Sequence, residues 1–365
     1  MFSVIQKQIF VFIGLLVLSY SLSNVALGAE SHDPEASDDF FAKEDSAQNP
    51  YDFNDQPQTR MLKHPAWFKQ SFLDLREDLK NAQEQGKLGL ILYFGQENCA
   101  YCEKLLEINF NQRRDIVAYT QKFFDLVAIN IWGDLPVTTP DGQVFSEKHF
   151  ADAQKTHFTP SLIFYDTDGK EVFRMQGYYP PYRFRAGLDY VVGGYYRQET
   201  FRNYLERAEP PLVFEENELN YNEIFAPPPY LLVRRPAAAQ RPLAVFFEQG
   251  NCHACDLLHS GPLRDPALLH ELNNMEVVQL DMWADTPLVT PAGEKTTAKA
   301  WANALKLFYT PTLLFFDESG KEIIRIESTV QLYRLSRLVQ YVLSKDYQRY
   351  PLFQRWHTEQ VQTQH

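Results

Sequence analysis

The chain has 365 residues, room for two domains that each bury a core, and 47 acidic against 35 basic residues give it a net charge of −12. That balance excludes nucleic acid and an anionic membrane surface as partners. The chain has only four cysteines, too few to brace a molecule of this size. All four fall in two tight pairs, Cys99-Ala100-Tyr101-Cys102 and Cys252-His253-Ala254-Cys255.

At the N-terminus, Lys7 precedes the apolar run Ile9 to Leu18 and a weaker small-residue tail ending at Ala29. Residues 1–29 read as a secretory signal, which places the mature protein outside the cytoplasm, in a bacterial-type periplasm. The alternative is an uncleaved anchor facing the periplasm, because the mixed apolar stretch extends to Leu27. Residues 30–60 are rich in Asp, Glu, Ser, Asn and Gln, and are expected to form a flexible acidic arm.

A first domain is expected over 61–208. Trp67, Phe68, Phe72, Leu73, Leu75 and Leu79 recur at roughly helical spacing within Ala66–Gln85. A strand follows over Leu88–Phe94, then a helix from Tyr101 to about Tyr119 and a strand over Phe124–Ile131. Phe145–Thr156 reads as a helix. Ser161–Tyr165 and Glu171–Gln176 form an antiparallel pair around Asp166-Thr167-Asp168-Gly169, and a closing helix runs from Tyr182 to about Arg207, weakened at Gly193-Gly194. Residues 209–240 form a proline-rich linker whose apolar side chains are expected to pack on a domain. Residues 241–357 form a second domain, and 358–365 a polar tail.

The second domain repeats the first. Phe94 to Cys99 aligns with Phe247 to Cys252 at an offset of 153. From Ile129 onward the offset is 151, which needs a single two-residue deletion. Trp132-Gly133-Asp134 then meets Trp283-Ala284-Asp285, and Thr159-Pro160 meets Thr310-Pro311. The chain is an internal duplication, although the second copy shows no counterpart to the leading helix.

Each cysteine pair follows an apolar strand and opens a helix. A first sulfur at a helix N-terminus meets unpaired N–H groups and the helix dipole, both of which favour a thiolate. The second sulfur, one turn on, is close enough to attack a mixed disulfide and release the substrate. A shared zinc site fits poorly, since zinc ribbons space their pairs about 15–20 residues apart. A purely structural disulfide would close too short a loop to remove much chain entropy.

With strand, Cys-x-x-Cys, helix and Thr-Pro in order, the chain resembles tandem thioredoxin-fold proteins, and most closely the exported SoxW-type thioredoxins and related periplasmic thioredoxin-like domains. The resemblance covers most of 66–207 and, more loosely, 241–356. It implies an α/β architecture of two thioredoxin-like domains, each a central mixed β-sheet flanked by helices. It also implies thiol–disulfide oxidoreductase activity without a metal or cofactor. The working residues would be Cys99, Cys102, Cys252 and Cys255, with Pro160 and Pro311 as the cis prolines beside them. The expected partners are client proteins bearing thiols or disulfides and a separate redox partner. A redox-inert chaperone or scaffold and a thiolate metal carrier are the competing readings.

One departure stands out. Cytoplasmic members carry a buried acid six residues before the first cysteine, and here those positions hold Tyr93 and Phe246. The second cysteine's proton would then pass to water, to Glu97 or Glu103 in the first domain, or to Asp256 in the second. His253 is placed to stabilise a thiolate at Cys252.

Overall fold

The computed structural model describes residues 49–51, 53–208 and 219–363. The expected signal, the arm as far as residue 48 and the start of the linker lie outside them.

The first half runs α1 (Leu75–Glu84), β1 (Gly89–Gly95), α2 (Ala100–Lys104), a π-helical stretch (Leu105–Gln112), α3 (Arg114–Phe123) and β2 (Phe124–Asn130). The hairpin β3 (Pro136–Thr138) and β4 (Val144–Ser146), α4 (Glu147–Ala153), β5 (Ser161–Asp166), β6 (Glu171–Gln176), α5 (Pro181–Val192) and α6 (Phe201–Ala208) complete it. The second half contains β7 (Tyr230–Leu231), β8 (Leu243–Glu248), α7 (His253–Ser260), α8 (Pro266–Leu272) and β9 (Glu276–Asp281). It continues with β10 (Pro287–Val289), β11 (Lys295–Thr297), α9 (Ala298–Ala304), β12 (Thr312–Phe316), β13 (Glu322–Ile326), α10 (Leu332–Leu343) and α11 (Phe353–Thr363).

The two central sheets are built alike, β2-β1-β5-β6 and β9-β8-β12-β13. In each, a central strand pairs parallel on one side and antiparallel on the other. Leu92 sits opposite Val127 and Ile163; its counterpart Val245 sits opposite Val278 and Leu314. Both registers keep the sequence offsets of 153 and 151. Because successive strand residues face opposite sides, Ile91 and Tyr93 enter one core layer while Leu90, Leu92 and Phe94 enter the other. Ala244 and Phe246 divide from Leu243, Val245 and Phe247 in the same way. Helices cover both faces, so the central strands are apolar throughout. Among the described residues no helix is long and apolar enough to cross a membrane.

Several expected boundaries are corrected. The leading helix begins at Leu75, not Ala66: Leu73 takes a left-handed conformation (φ 63°), and the Asp74 carboxylate caps the Arg76 and Glu77 N–H groups. Lys69 N instead donates to Leu126 O, so Trp67 and Phe68 reach the core from a non-helical segment. The helix after the first cysteine pair leaves α geometry where Trp67 Nε1 takes the Phe110 carbonyl and Asn109 turns inward to Tyr179 O. It breaks at Arg113 and resumes as α3. Phe145 belongs to β4, paired with Val137, and α4 starts only at Glu147. The closing helix ends at Val192, with Gly194 in a left-handed turn (φ 69°), before α6 begins.

The described part of the linker is built into the second half. Ala226 N donates to Val277 O, β7 pairs with β10, and buried Arg234 meets Glu276. Residues 53–62, assigned by composition largely to the flexible arm, are instead held as a strap along the first cysteine pair, because Asp55 and Arg60 find fixed partners there.

The halves pack around a pseudo-twofold relation. Phe158, just before Thr159-Pro160, enters the core of the second half against Phe353; the equivalent Tyr309 enters the first against Tyr179. Gly177 meets its equivalent, Ser328, across the seam. A Cβ on Gly177 would fall 2.0 Å from Ser328 Oγ, and the residue's φ is +102°, so only glycine fits. Thr329 N donates to Tyr178 O beside them at 3.2 Å.

Candidate active sites

Both cysteine pairs form disulfides, with Cα–Cα distances of 5.2 Å for Cys99–Cys102 and 5.1 Å for Cys252–Cys255. In each pair the first cysteine is the N-cap of its helix. Cys99 Sγ accepts the Cys102 N–H at 3.0 Å, and Cys252 Sγ accepts the Cys255 N–H at 3.1 Å. A thiolate formed there by reduction keeps that donor and the positive end of the helix dipole.

The Thr159–Pro160 and Thr310–Pro311 peptides are both cis. They bring a threonine to each sulfur: Cys99 Sγ lies 3.4 Å from Thr159 Oγ1 and 3.6 Å from its carbonyl, and Cys252 Sγ lies 3.6 and 3.7 Å from the same atoms of Thr310. A disulfide sulfur carries no proton, so the threonine hydroxyl is the donor to it. The glutamine three residues before each first cysteine also has a structural task. Gln96 Oε1 accepts Trp132 Nε1, and Gln249 Oε1 accepts Trp283 Nε1. Gln96 Nε2 further reaches Thr159 Oγ1 at 2.9 Å.

The structure separates the sites below the sulfurs. Tyr93 is buried, its hydroxyl has no hydrogen-bond partner among the described residues, and burial pushes its phenol well above the usual range. Its ring folds over Gly95, where a Cβ would fall 2.5 Å from the hydroxyl. The second half places Glu248 at the position equivalent to Gly95. Glu248 is fully buried, and its carboxylate meets His259 Nε2 at 3.0 Å and accepts Gln279 Nε2 at 3.2 Å. His259 follows Cys255 by four residues on α7, so the two share a helix face, and His259 meets that carboxylate. Sequence reasoning seeks an acid at Phe246 and misses this one two residues later. The signal is a charged residue ending an apolar strand, with a histidine one helical turn past the second cysteine.

The acids expected to accept the proton each have another partner. Glu97 accepts Leu62 N, Glu103 pairs with Arg60 and is half exposed, and Asp256 accepts Asn220 Nδ2. His253 meets Tyr51 edge-on, with ring centres 5.2 Å apart.

Residues 75–192 and 234–343 each match the model of the thioredoxin-like domain family, together more than half of the chain. No curated protein matches the chain significantly. Among solved structures, a thioredoxin-fold protein from Helicobacter pylori is 24% identical, covering 32% of this chain and 82% of that one with a TM-score of 0.27. A thioredoxin from Thermus thermophilus is 22% identical over 33% of this chain and 84% of that one, with a TM-score of 0.26. A domain of an alkylhydroperoxide reductase from Enterococcus faecalis is 15% identical, covering 76% of this chain and all of its own, with a TM-score of 0.24. The family match spans both cysteine pairs and both cis prolines, and the chain is a thiol–disulfide oxidoreductase belonging to the thioredoxin-like domain family.

Proposed function

We propose that the protein works outside the cytoplasm, reducing or isomerising disulfides of client proteins, with Cys99 and Cys252 as nucleophiles and Cys102 and Cys255 as resolving thiols. The observation that carries this reading is the repeated geometry at both first cysteines. Each sulfur caps a helix, accepts the second cysteine's N–H, and has the threonine of a cis Thr-Pro against it. In the reduced state the thiolate attacks a client sulfur, and the client's other sulfur leaves as a thiol. The resolving cysteine then gives up its proton and attacks the mixed disulfide, which frees the client and restores the intramolecular disulfide. Export rests on Lys7 and the apolar run Ile9 to Leu18.

Two measurements test the reading. Cys102→Ser and Cys255→Ser should each trap clients as mixed disulfides, whereas Cys99→Ser and Cys252→Ser should each silence one site. A quadruple Cys→Ser variant that still reduced protein disulfides at the wild-type rate would end the thiol mechanism. Mass spectrometry of the native N-terminus should find a start near Glu30 in the extracytoplasmic fraction, and an intact Met1 on a cytosolic species would overturn export.

A further inference from the structure

Cys99 is only 5% exposed and Cys102 is fully buried, yet Cys99 must meet a substrate sulfur. Cys252 is buried to the same degree, at 7% exposed, but the approach to Cys99 is lined by two other parts of the chain. Arg334, in the first turn of α10, reaches across the seam and donates from Nη2 to the Thr159 carbonyl at 3.0 Å. That carbonyl is the backbone acceptor beside Cys99 Sγ, and Arg334 occupies it. The guanidinium lies 3.3 Å from the ring centre of Tyr101, the residue before Cys102, and is itself buried.

The strap then fixes Arg334 in place. Asp55 accepts the Tyr101 hydroxyl at 2.8 Å and the backbone N–H groups of Tyr333 and Arg334 at 3.1 and 2.8 Å. One carboxylate thus joins the dipeptide inside the first cysteine pair to the start of α10. Five residues on, Arg60 and Asn98 exchange hydrogen bonds: Arg60 N donates to Asn98 Oδ1, and Asn98 N donates to Arg60 O. Asn98 immediately precedes Cys99.

Asp55, Tyr101 and Arg334 themselves line a half-open chamber of about 1140 Å³ between the halves. Gln96, Cys99 and Trp132 line it from the first half, and Gln354, Arg355 and His357 from the second. It exceeds the roughly 300–1,000 Å³ of an ordinary small-molecule site. It is far too small for a folded domain.

We propose that the Cys99 site selects substrates by width. It accepts a disulfide carried on a slender molecule that threads into the chamber, and Asp55 and Arg334 turn away disulfides set in a folded surface. The shared chemistry is an unencumbered disulfide, supplied by a short unfolded segment or by a low-molecular-weight compound. The inference rests on Cys99 and Cys102 being the working pair. The Cys99 thiolate attacks one substrate sulfur, the substrate S–S bond breaks, and the departing sulfur takes a proton. Cys102 then loses its proton and displaces the second sulfur as a thiol, so the two electrons of the reduced pair end in the substrate.

The experiment uses the full chain carrying Cys252→Ser and Cys255→Ser, so that only the first site reacts. The protein is reduced, freed of reductant, and mixed in single turnover with oxidised glutathione, with an unstructured ten-residue peptide disulfide, or with native insulin. Each rate is divided by that substrate's rate with dithiothreitol. At least one slender substrate should react tenfold or more faster than insulin on this scale, and comparison of the two identifies the source. Asp55→Ala should raise the ratio of insulin to slender-substrate rate at least fivefold. Asp55→Asn, which keeps the shape and loses the charge, provides the same reading if the alanine variant does not fold. Insulin reacting as fast as both slender substrates, or a ratio unchanged in the folded Asp55 variant, overturns the proposal. Failure of every disulfide to oxidise the pair would instead overturn the assignment of Cys99 itself.

Discussion

The guanidinium of Arg202 lies 4.1 Å from the ring centre of Trp283, across the seam between the halves, and its Nη1 donates to Leu307 O at 2.8 Å. The second half returns the contact. Arg355 lies 4.0 Å from Trp132, the counterpart of Trp283, and donates to Ile131 O and Lys148 O. Each half therefore sends an arginine from its C-terminal helix onto the other half's tryptophan loop, next to the glutamine that leads into the cysteine pair.

Arg202 is almost fully buried, so truncation removes a desolvated cation–π contact and leaves buried carbonyls unpaired. Arg202→Ala should lower the unfolding free energy of the full chain by about 3 kcal/mol. Arg202→Lys should recover part of it, since lysine keeps the charge and loses the planar fork. Urea titration followed by tryptophan fluorescence measures both, and a loss within experimental error would show that this seam contributes little.

Much of this molecule is legible in its sequence, because strand periodicity and repeat offsets survive in any order of packing. The four cysteines, the two Thr-Pro pairs and the strands β1 and β8 follow from local pattern alone. The contacts across the seam do not. Phe158 and Tyr309 read as ordinary core aromatics, and nothing local says that each enters the core of the other half. The acidic arm misleads for a similar reason: Asp55 and Arg60 look solvated until Tyr101, Arg334 and Glu103 are brought to them. The expected leading helix fails on one residue, since a left-handed Leu73 interrupts a period that the side chains otherwise keep.

Glu248 and His259 make the second site chemically distinct. Cys255 must surrender a proton before it can resolve a mixed disulfide, and Glu248 is the buried carboxylate that meets His259 one helical turn past it. Glu248→Gln keeps a hydrogen bond to His259 and removes the base. Resolution at the second site should slow about a hundredfold at pH 7, the low end of general-base effects, while the first site keeps its rate. Stopped-flow single turnovers on chains with the other pair changed to serine measure each site separately. Equal slowing at both sites would point to a general structural effect instead.

Burial pushes the Glu327 carboxyl up to about 7, with Glu322 adding to the rise and Arg325, 3.5 Å away, partly offsetting it. The folded protein therefore holds a proton that the unfolded chain releases at lower pH. The sign follows from linkage: stability from this group is full below about pH 4.5 and declines as pH rises to about 7. His357 acts oppositely, since burial lowers it to about 4 and its neutral form favours the fold as pH rises. Glu327→Gln removes only the first trend. Its unfolding free energy relative to wild type should climb between pH 4.5 and 7 and then level off, and a flat difference across that range would contradict the assignment.

His253 supplies a contrast in potential. Cys99 and Cys252 both cap helices and both accept a backbone N–H, so those contributions are closely matched. The residues between the cysteines differ. His253 can donate a hydrogen bond or positive charge towards Cys252, whereas Ala100 offers Cys99 neither, and Tyr51 packs edge-on against the imidazole to restrict its motion. Stabilising the thiolate stabilises the reduced form and raises the potential. The Cys252–Cys255 couple should therefore be the more oxidising. A gap of about 30 mV, equivalent to roughly 1.4 kcal/mol, would correspond to about a tenfold difference in equilibrium constant. Glutathione redox titration of full chains retaining one pair each gives the two potentials, with His253→Ala expected to lower the second towards the first. A second potential equal to or below the first, or one indifferent to His253→Ala, would overturn this role for His253.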